Sequence, residues 1–356
     1  MDERIYNYSA SKQASKQASK QASKQASKQL ECKNPINKRI RSIDIAKGIG
    51  ILLVVIGHCI PDAASPSGIS ITLYKILHDV IYSFHMPLFF FLAGFMMSRE
   101  RMWSKYNSKL TMICVRAKRL LIPYVVVGLL YAPFKILLSA YANKPYDINN
   151  ILLMIEGVNP DGELWFLYSL FAVTVVAILL DFRISLIGLC FTAIITIMPV
   201  IFPVISKWLF FLFLGIYVKR ECAEFISKIN IKHIIVSMLA FIIGNYFLNV
   251  LLIKGVFLLT AVSGIILVLT LSNYLSRIDN KYILQLEKWG KYSMDIYILS
   301  DIVKIPVRII LWNKLHLYNT SFLASVIIAM LCSVFISQVF IRRSDLLKRC
   351  ILGLSK

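Results

Sequence analysis

The run KGIGILLVVIGH puts an ammonium group, Lys47, and an imidazole, His58, at the two ends of an apolar stretch. On an α-helix, eleven residues turn about 20° beyond three full turns and rise roughly 16 Å. Both side chains therefore share one face. If the run crosses a bilayer core about 30 Å thick, His58 lies past its middle. Ionisable groups at that depth usually face a bundle interior or a watery cavity and mark sites of binding or proton transfer. A second imidazole, His85, sits in YSFHMPLFFFLAGF. That stretch runs back the other way, so His85 and His58 are expected at similar depths on adjacent antiparallel helices. Pro87 can open the local backbone there and free a carbonyl. His78, His233 and His316 fall near span ends and read as interfacial.

Other charged residues have recognisable spacings. In RAKR, Arg116 and Arg119 are three apart and so are neighbours on a helix. Forked guanidinium groups suit phosphate, although an ordinary basic cluster at a membrane face has the same look. Asp295, Asp301, Lys304 and Arg308 fall in or beside a later apolar stretch. Asp301 and Lys304, three apart, can neutralise each other. In ELWFLYSLF, Glu163 and Trp165 begin a further apolar run, and Trp165 reads as an interfacial anchor.

These residues need a membrane domain to hold them. The chain of 356 residues is 58% hydrophobic, with mean hydropathy +0.68, above the range of soluble domains. The expected fold is all-α and polytopic, with about ten spans: 46–62, 77–98, 119–141, 164–181, 184–204, 206–219, 233–253, 255–275, 291–312 and 322–341. The net charge of +21 falls on alternate connections. Arg99, Arg101, Lys105, Lys109, Arg116, Lys118 and Arg119 follow the second span. Lys219, Arg220, Lys228 and Lys232 follow the sixth, and Arg277, Lys281, Lys288 and Lys291 the eighth. Residues 63–76 and 142–163 carry one lysine each. By the positive-inside rule both termini are cytoplasmic. The charge is thus accounted for by topology, with no nucleic-acid partner. The seven cysteines are unclustered and form no CxxC pair, which argues against a disulfide framework and a metal site. No cleavable signal peptide is expected before the first span.

The organisation expected is an arm (1–41), a transmembrane domain (42–342) and a short basic cytoplasmic tail (343–356). The arm contains ASKQ repeated over residues 10–29. It has no apolar face, so it reads as a solvated basic segment. A four-base GCAA unit repeated in frame encodes this same period. Gain or loss of one unit would shift the frame, so the protein sequence permits phase-variable expression. A stable twelve-base repeat would encode the same residues.

Taken together, the pieces resemble acyltransferase family 3, the membrane sugar O-acyltransferases of bacteria. The likeness runs from about Ser42 to the tenth span. It rests on the basic residue, ten residues, then histidine of Lys47 to His58, with Asp44 three residues before the lysine. FHMPLFFFLAGF, RAKR, LWFLYSLF and FFLFLGIYVKR follow in order. Ser300 stands where many relatives have histidine, so no catalytic role is carried to it. The resemblance implies transfer from cytoplasmic acetyl-CoA, with no bound cofactor, to a glycan or lipid-linked saccharide. His58 would be the base and His85 an orienter or second base. Lys47, Arg116 and Arg119 would hold the donor's phosphates. Asp44, Trp165, Ser300 and Asp301 would support them, and Ser300, Asn245 or backbone near Pro87 would be oxyanion candidates. The competing expectation is a saccharide or solute transporter with buried His, Asp and Lys as a proton relay. Against it, the membrane spans show no clear internal repeat or paired inverted halves.

Overall fold

The structure is a computed structural model that describes residues 40–60, 71–137, 148–197, 203–222 and 231–354. The ASKQ arm lies outside the described residues. Among those described, the chain is helical, with no strand. The helices are α1 (Arg41–Cys59), α2 (Ile71–Tyr82), α3 (His85–Phe95), α4 (Arg99–Lys105) and α5 (Lys109–Leu137). Then come α6 (Trp165–Leu179), α7 (Leu186–Ile197), α8 (Pro203–Glu221), α9 (Ile231–Asn245) and α10 (Phe257–Leu275). The last are α11 (Lys281–Lys291), α12 (Ser293–Val307), α13 (Tyr318–Val339) and α14 (Asp345–Leu352).

Among the described residues, seven helical stretches are long and apolar enough to cross a membrane: 41–59, 73–95, 109–137, 162–179, 232–250, 257–275 and 318–343. The other three expected spans coincide with α7, α8 and α12. α7 has 12 residues. α8 carries Lys207, Lys219, Arg220 and Glu221, and α12 carries Asp295, Asp301 and Lys304. Length or charge sets these three apart, and in α12 Asp301 and Lys304 reach the site described below.

The lipid-facing logic is clearest in α13. Leu323, Ile327, Leu331 and Phe335 recur every four residues and are exposed, whereas Ser321, Ser325, Ala329, Ser333 and Ser337 are buried. The apolar face therefore looks outward, and the small residues let neighbouring backbones come close. α1 occupies the centre of the bundle, against α2, α3, α10, α11, α12 and α13. Its closest approach is to α11. A Cβ on Gly48 would overlap the Leu286 carbonyl, and one on Gly290 would overlap the Asp44 carbonyl. Gly94 of α3 and Gly215 of α8 meet in the same way.

The second expected span is broken. α2 ends at Tyr82, Ser83 and Phe84 form a turn, and α3 begins at His85. Pro87 has no N–H to give to the carbonyl four residues back, so the helix cannot run through without loss. At the other end of the chain, the segment expected as a tail folds. Residues 345–352 form α14, capped by Ser344 and closed by Gly353 in the left-handed conformation. α14 packs on α5.

Candidate active site

α1 aligns the key side chains. Lys47, Ile51 and Val54, spaced by four and three, line a cavity of about 220 Å³. His58, one turn further along the same face, lines a second, smaller pocket. α12 repeats the pattern: Ser293, Met294 and Tyr297 line the large cavity, and Lys304 lines the small one. α6 adds Phe166, Leu170 and Thr174 to the large cavity, and α5 adds Arg116 and Leu120. The cavity is thus basic at Lys47 and Arg116 and apolar toward Val54, Met86 and Phe89. Arg116 Nε is buried and has no hydrogen-bond partner among the described residues. A buried cationic donor left open costs free energy, and an anionic ligand would relieve it.

At the far end, Oε1 of Glu163 lies 3.2 Å from Nδ1 of His58. The same oxygen accepts from Lys304 Nζ at 2.7 Å. Lys304 also reaches Asp301 Oδ1 at 2.6 Å and donates to the His58 carbonyl at 3.3 Å. Tyr131 donates to Asp301 Oδ2 at 2.5 Å, and Tyr297 donates to the Glu163 carbonyl. Four separate segments are therefore tied at one point. The Tyr82 hydroxyl lies 3.5 Å from the same Nδ1. With the proton on Nδ1 facing the Glu163 carboxylate, Nε2 is left as an acceptor, the arrangement a general base requires.

His85 is 1% exposed. Its Nδ1 lies 2.7 Å from the Ile81 carbonyl, which the break before α3 makes available. A carbonyl only accepts, so the His85 proton sits on Nδ1. The two histidines are bridged by Tyr82, whose ring stands edge-on to His85 at 4.7 Å and to His58 at 6.2 Å. His78, nearer the start of α2, stacks on the same tyrosine at 3.9 Å.

The remaining expected residues divide. Asp44 is buried in the first turn of α1. Arg119 does not line the cavity; it donates to the Leu352 carbonyl at the end of α14. One helical turn separates it from Arg116, but the two side chains take different partners. Trp165 is half-buried and packs on Trp208 and Phe166, within the bundle. Ser300 donates to the Tyr297 carbonyl at 3.5 Å. Asn245, on α9, donates to the Phe241 carbonyl of its own helix. Asp295 forms an ion pair with Arg342, at 2.8 Å.

Sequence reading finds the Asp301–Lys304 pair but treats it as self-contained. In the fold it joins Glu163 and His58. The available signal is a charge count: Glu163 begins an apolar helix with no cation nearby in sequence, so its partner has to come from elsewhere.

A family model described as an acyltransferase domain matches residues 40–342. The chain belongs to acyltransferase family 3. Comparison with curated proteins and with solved structures returns no match. The family and the apolar helices together make this a multi-pass membrane acyltransferase.

Proposed function

We propose that this family member moves an acetyl group from cytoplasmic acetyl-CoA to a hydroxyl of a cell-surface glycan at a bacterial inner membrane, with both termini cytoplasmic. The observation that carries this reading is the line along α1, from Lys47 beside the 220 Å³ cavity to His58 beside Glu163. Coenzyme A is strongly anionic, and Lys47 and Arg116 supply the matching charge. The apolar remainder of the cavity suits the pantetheine arm. On this reading His58 Nε2 takes the acceptor's hydroxyl proton as that oxygen bonds to the thioester carbonyl carbon. The tetrahedral intermediate then collapses, the C–S bond breaks, and the imidazolium returns its proton to the leaving thiolate. Glu163 stabilises the transient positive charge. The products are an acetyl ester and free coenzyme A.

The test is glycan-dependent release of free thiol from acetyl-CoA by purified protein. His58→Ala should lower it by about 10²–10⁴ in a protein that still folds. Near-normal turnover would remove His58 from the mechanism. We extend the proposal to expression: if the ASKQ tract is encoded by GCAA units, single colonies should differ in unit number, and only in-frame lengths should give acetylated glycan. A tract identical in every colony would exclude switching.

A further inference from the structure

Two serines of α13, Ser321 and Ser325, leave their hydroxyls open. A serine inside a helix commonly donates its hydroxyl to a carbonyl three or four residues back. Ser237 donates in this way to His233, and Ser263 to Thr260. Neither Ser321 nor Ser325 makes a side-chain hydrogen bond among the described residues, although the two are only 2% and 5% exposed. Four residues apart, they share one face of the helix. Both border the narrow pocket that His58 also lines. A hydroxyl buried without a partner costs free energy, and a ligand oxygen would relieve both at once.

The pocket has a volume of about 20 Å³. That is room for about one oxygen-sized group, which needs about two to four polar partners. The charged groups of the wall are already engaged. Lys304 pairs with Glu163 and Asp301, and Arg308 has an interaction partner of its own. The Nδ1 of His58 faces Glu163, so the nitrogen left for a ligand is Nε2. The groups still open are therefore neutral: two hydroxyls and one imidazole nitrogen, beside the weakly polar thiol of Cys59. An alcohol matches this set. It has one O–H to donate to Nε2 and two lone pairs to accept from the two serines. A neutral amine has one lone pair and would leave one serine unpaired. An ionised oxygen has no proton to give the imidazole.

We infer that Ser321 and Ser325 seat the oxygen of the attacking hydroxyl, a neutral alcohol group of the acceptor, beside His58. This rests on the acyl-transfer reading above. The serines hold the oxygen while its proton passes to Nε2, and neither serine is acylated.

The experiment uses the full chain in lipid nanodiscs, acetyl-CoA, and membrane glycan extracted from cells lacking this gene. Ser321→Ala and Ser325→Ala should each raise the apparent constant for glycan by about 2- to 10-fold, the loss of one neutral hydrogen bond. The double variant should raise it by about 5- to 100-fold on the same scale. The constant for acetyl-CoA should stay within about twofold, because neither serine lines the large cavity. The unfolding temperature should hold or rise, since each change removes an unpaired hydroxyl. Ser333→Ala is the matched control. Its hydroxyl, on the same helix, is also buried without a partner, but it borders neither pocket, so both constants should hold. An unchanged glycan constant in the folded double variant would overturn the seat, as would an equal rise in the acetyl-CoA constant. A lower unfolding temperature for both single variants would instead mark the serines as structural and also overturn it. If the unaltered protein releases no thiol in response to glycan, the acyl-transfer reading fails, and the seat with it.

Discussion

Oε1 of Glu163 lies 3.2 Å from Nδ1 of His58, although the two residues come from different helical segments. The contact joins the last turn of α1 to the short 3-10 turn Gly162–Leu164 that precedes α6. Asp161 stabilises that turn by accepting from the Glu163 N–H at 3.0 Å. The carboxylate is therefore delivered by a capped turn rather than by a free loop.

Glu163→Gln should keep the shape of the site and remove its negative charge. Turnover should fall at least about 10-fold, with about 10⁴ as the ceiling that acid–histidine pairs set elsewhere. The apparent constant for acetyl-CoA should change little, because the large cavity is lined by other residues. Glu163→Ala should also destabilise the protein, by up to about 3–5 kcal/mol, because buried Lys304 loses one of its two carboxylates. Initial-rate kinetics and thermal unfolding in detergent separate the two effects.

Arg116→Ala and Arg119→Ala should behave differently despite lying one turn apart. The first removes a donor from the cavity wall and should raise the apparent constant for acetyl-CoA. The second releases the end of α14 and should lower the unfolding temperature while leaving that constant near its original value. Equal kinetic effects would show that both arginines serve the donor.

Gly290→Val should disrupt the α1–α11 crossing, since its Cβ would overlap the Asp44 carbonyl and backbone cannot step aside. Overpacking of this kind costs about 1–3 kcal/mol and sometimes more. Gly255→Val, where the added atom meets nothing within 4 Å, is the matched control. Thermal unfolding should shift for the first and hold for the second.

Asp181, just beyond α6, accepts from Arg99 Nε at 2.7 Å and from Trp103 Nε1 at 2.5 Å. These hydrogen bonds, that of Arg99 first, hold its carboxyl below the usual range. A carboxylate depressed in the folded state stabilises it above the unfolded pKa near 3.9. The contribution is lost as pH falls through the lower folded value. The latch from α4 to this loop should therefore be insensitive between pH 5 and 8 and open only in strong acid, a range taken from the ordinary carboxylate pKa of about 3.9. Acid titration of Trp103 fluorescence, with Asp181→Asn as the form already lacking the charge, checks this. A transition near neutral pH would contradict it.

Sequence alone determined the helical membrane class, the family and the shared face of Lys47 and His58, because hydropathy and the 3.6-residue period are local properties of the chain. Pro87 marked the second span as one that could open, although the break itself falls at Ser83–Phe84, and the Asp301–Lys304 contact was legible for the same reason. The partner of His58 was not. Glu163 meets it only once the turn before α6 and the helix α12 have been brought to the end of α1, and no local pattern encodes that meeting. Tertiary structure also separated Arg116 from Arg119, which share a helix and a basic motif but face a cavity and a neighbouring helix end. It turned the supposed tail into α14, whose amphipathic face becomes useful only where α5 offers a surface to cover. The acid beside the imidazole and the cavity leading toward it are products of packing, since each needs side chains from helices far apart in the chain.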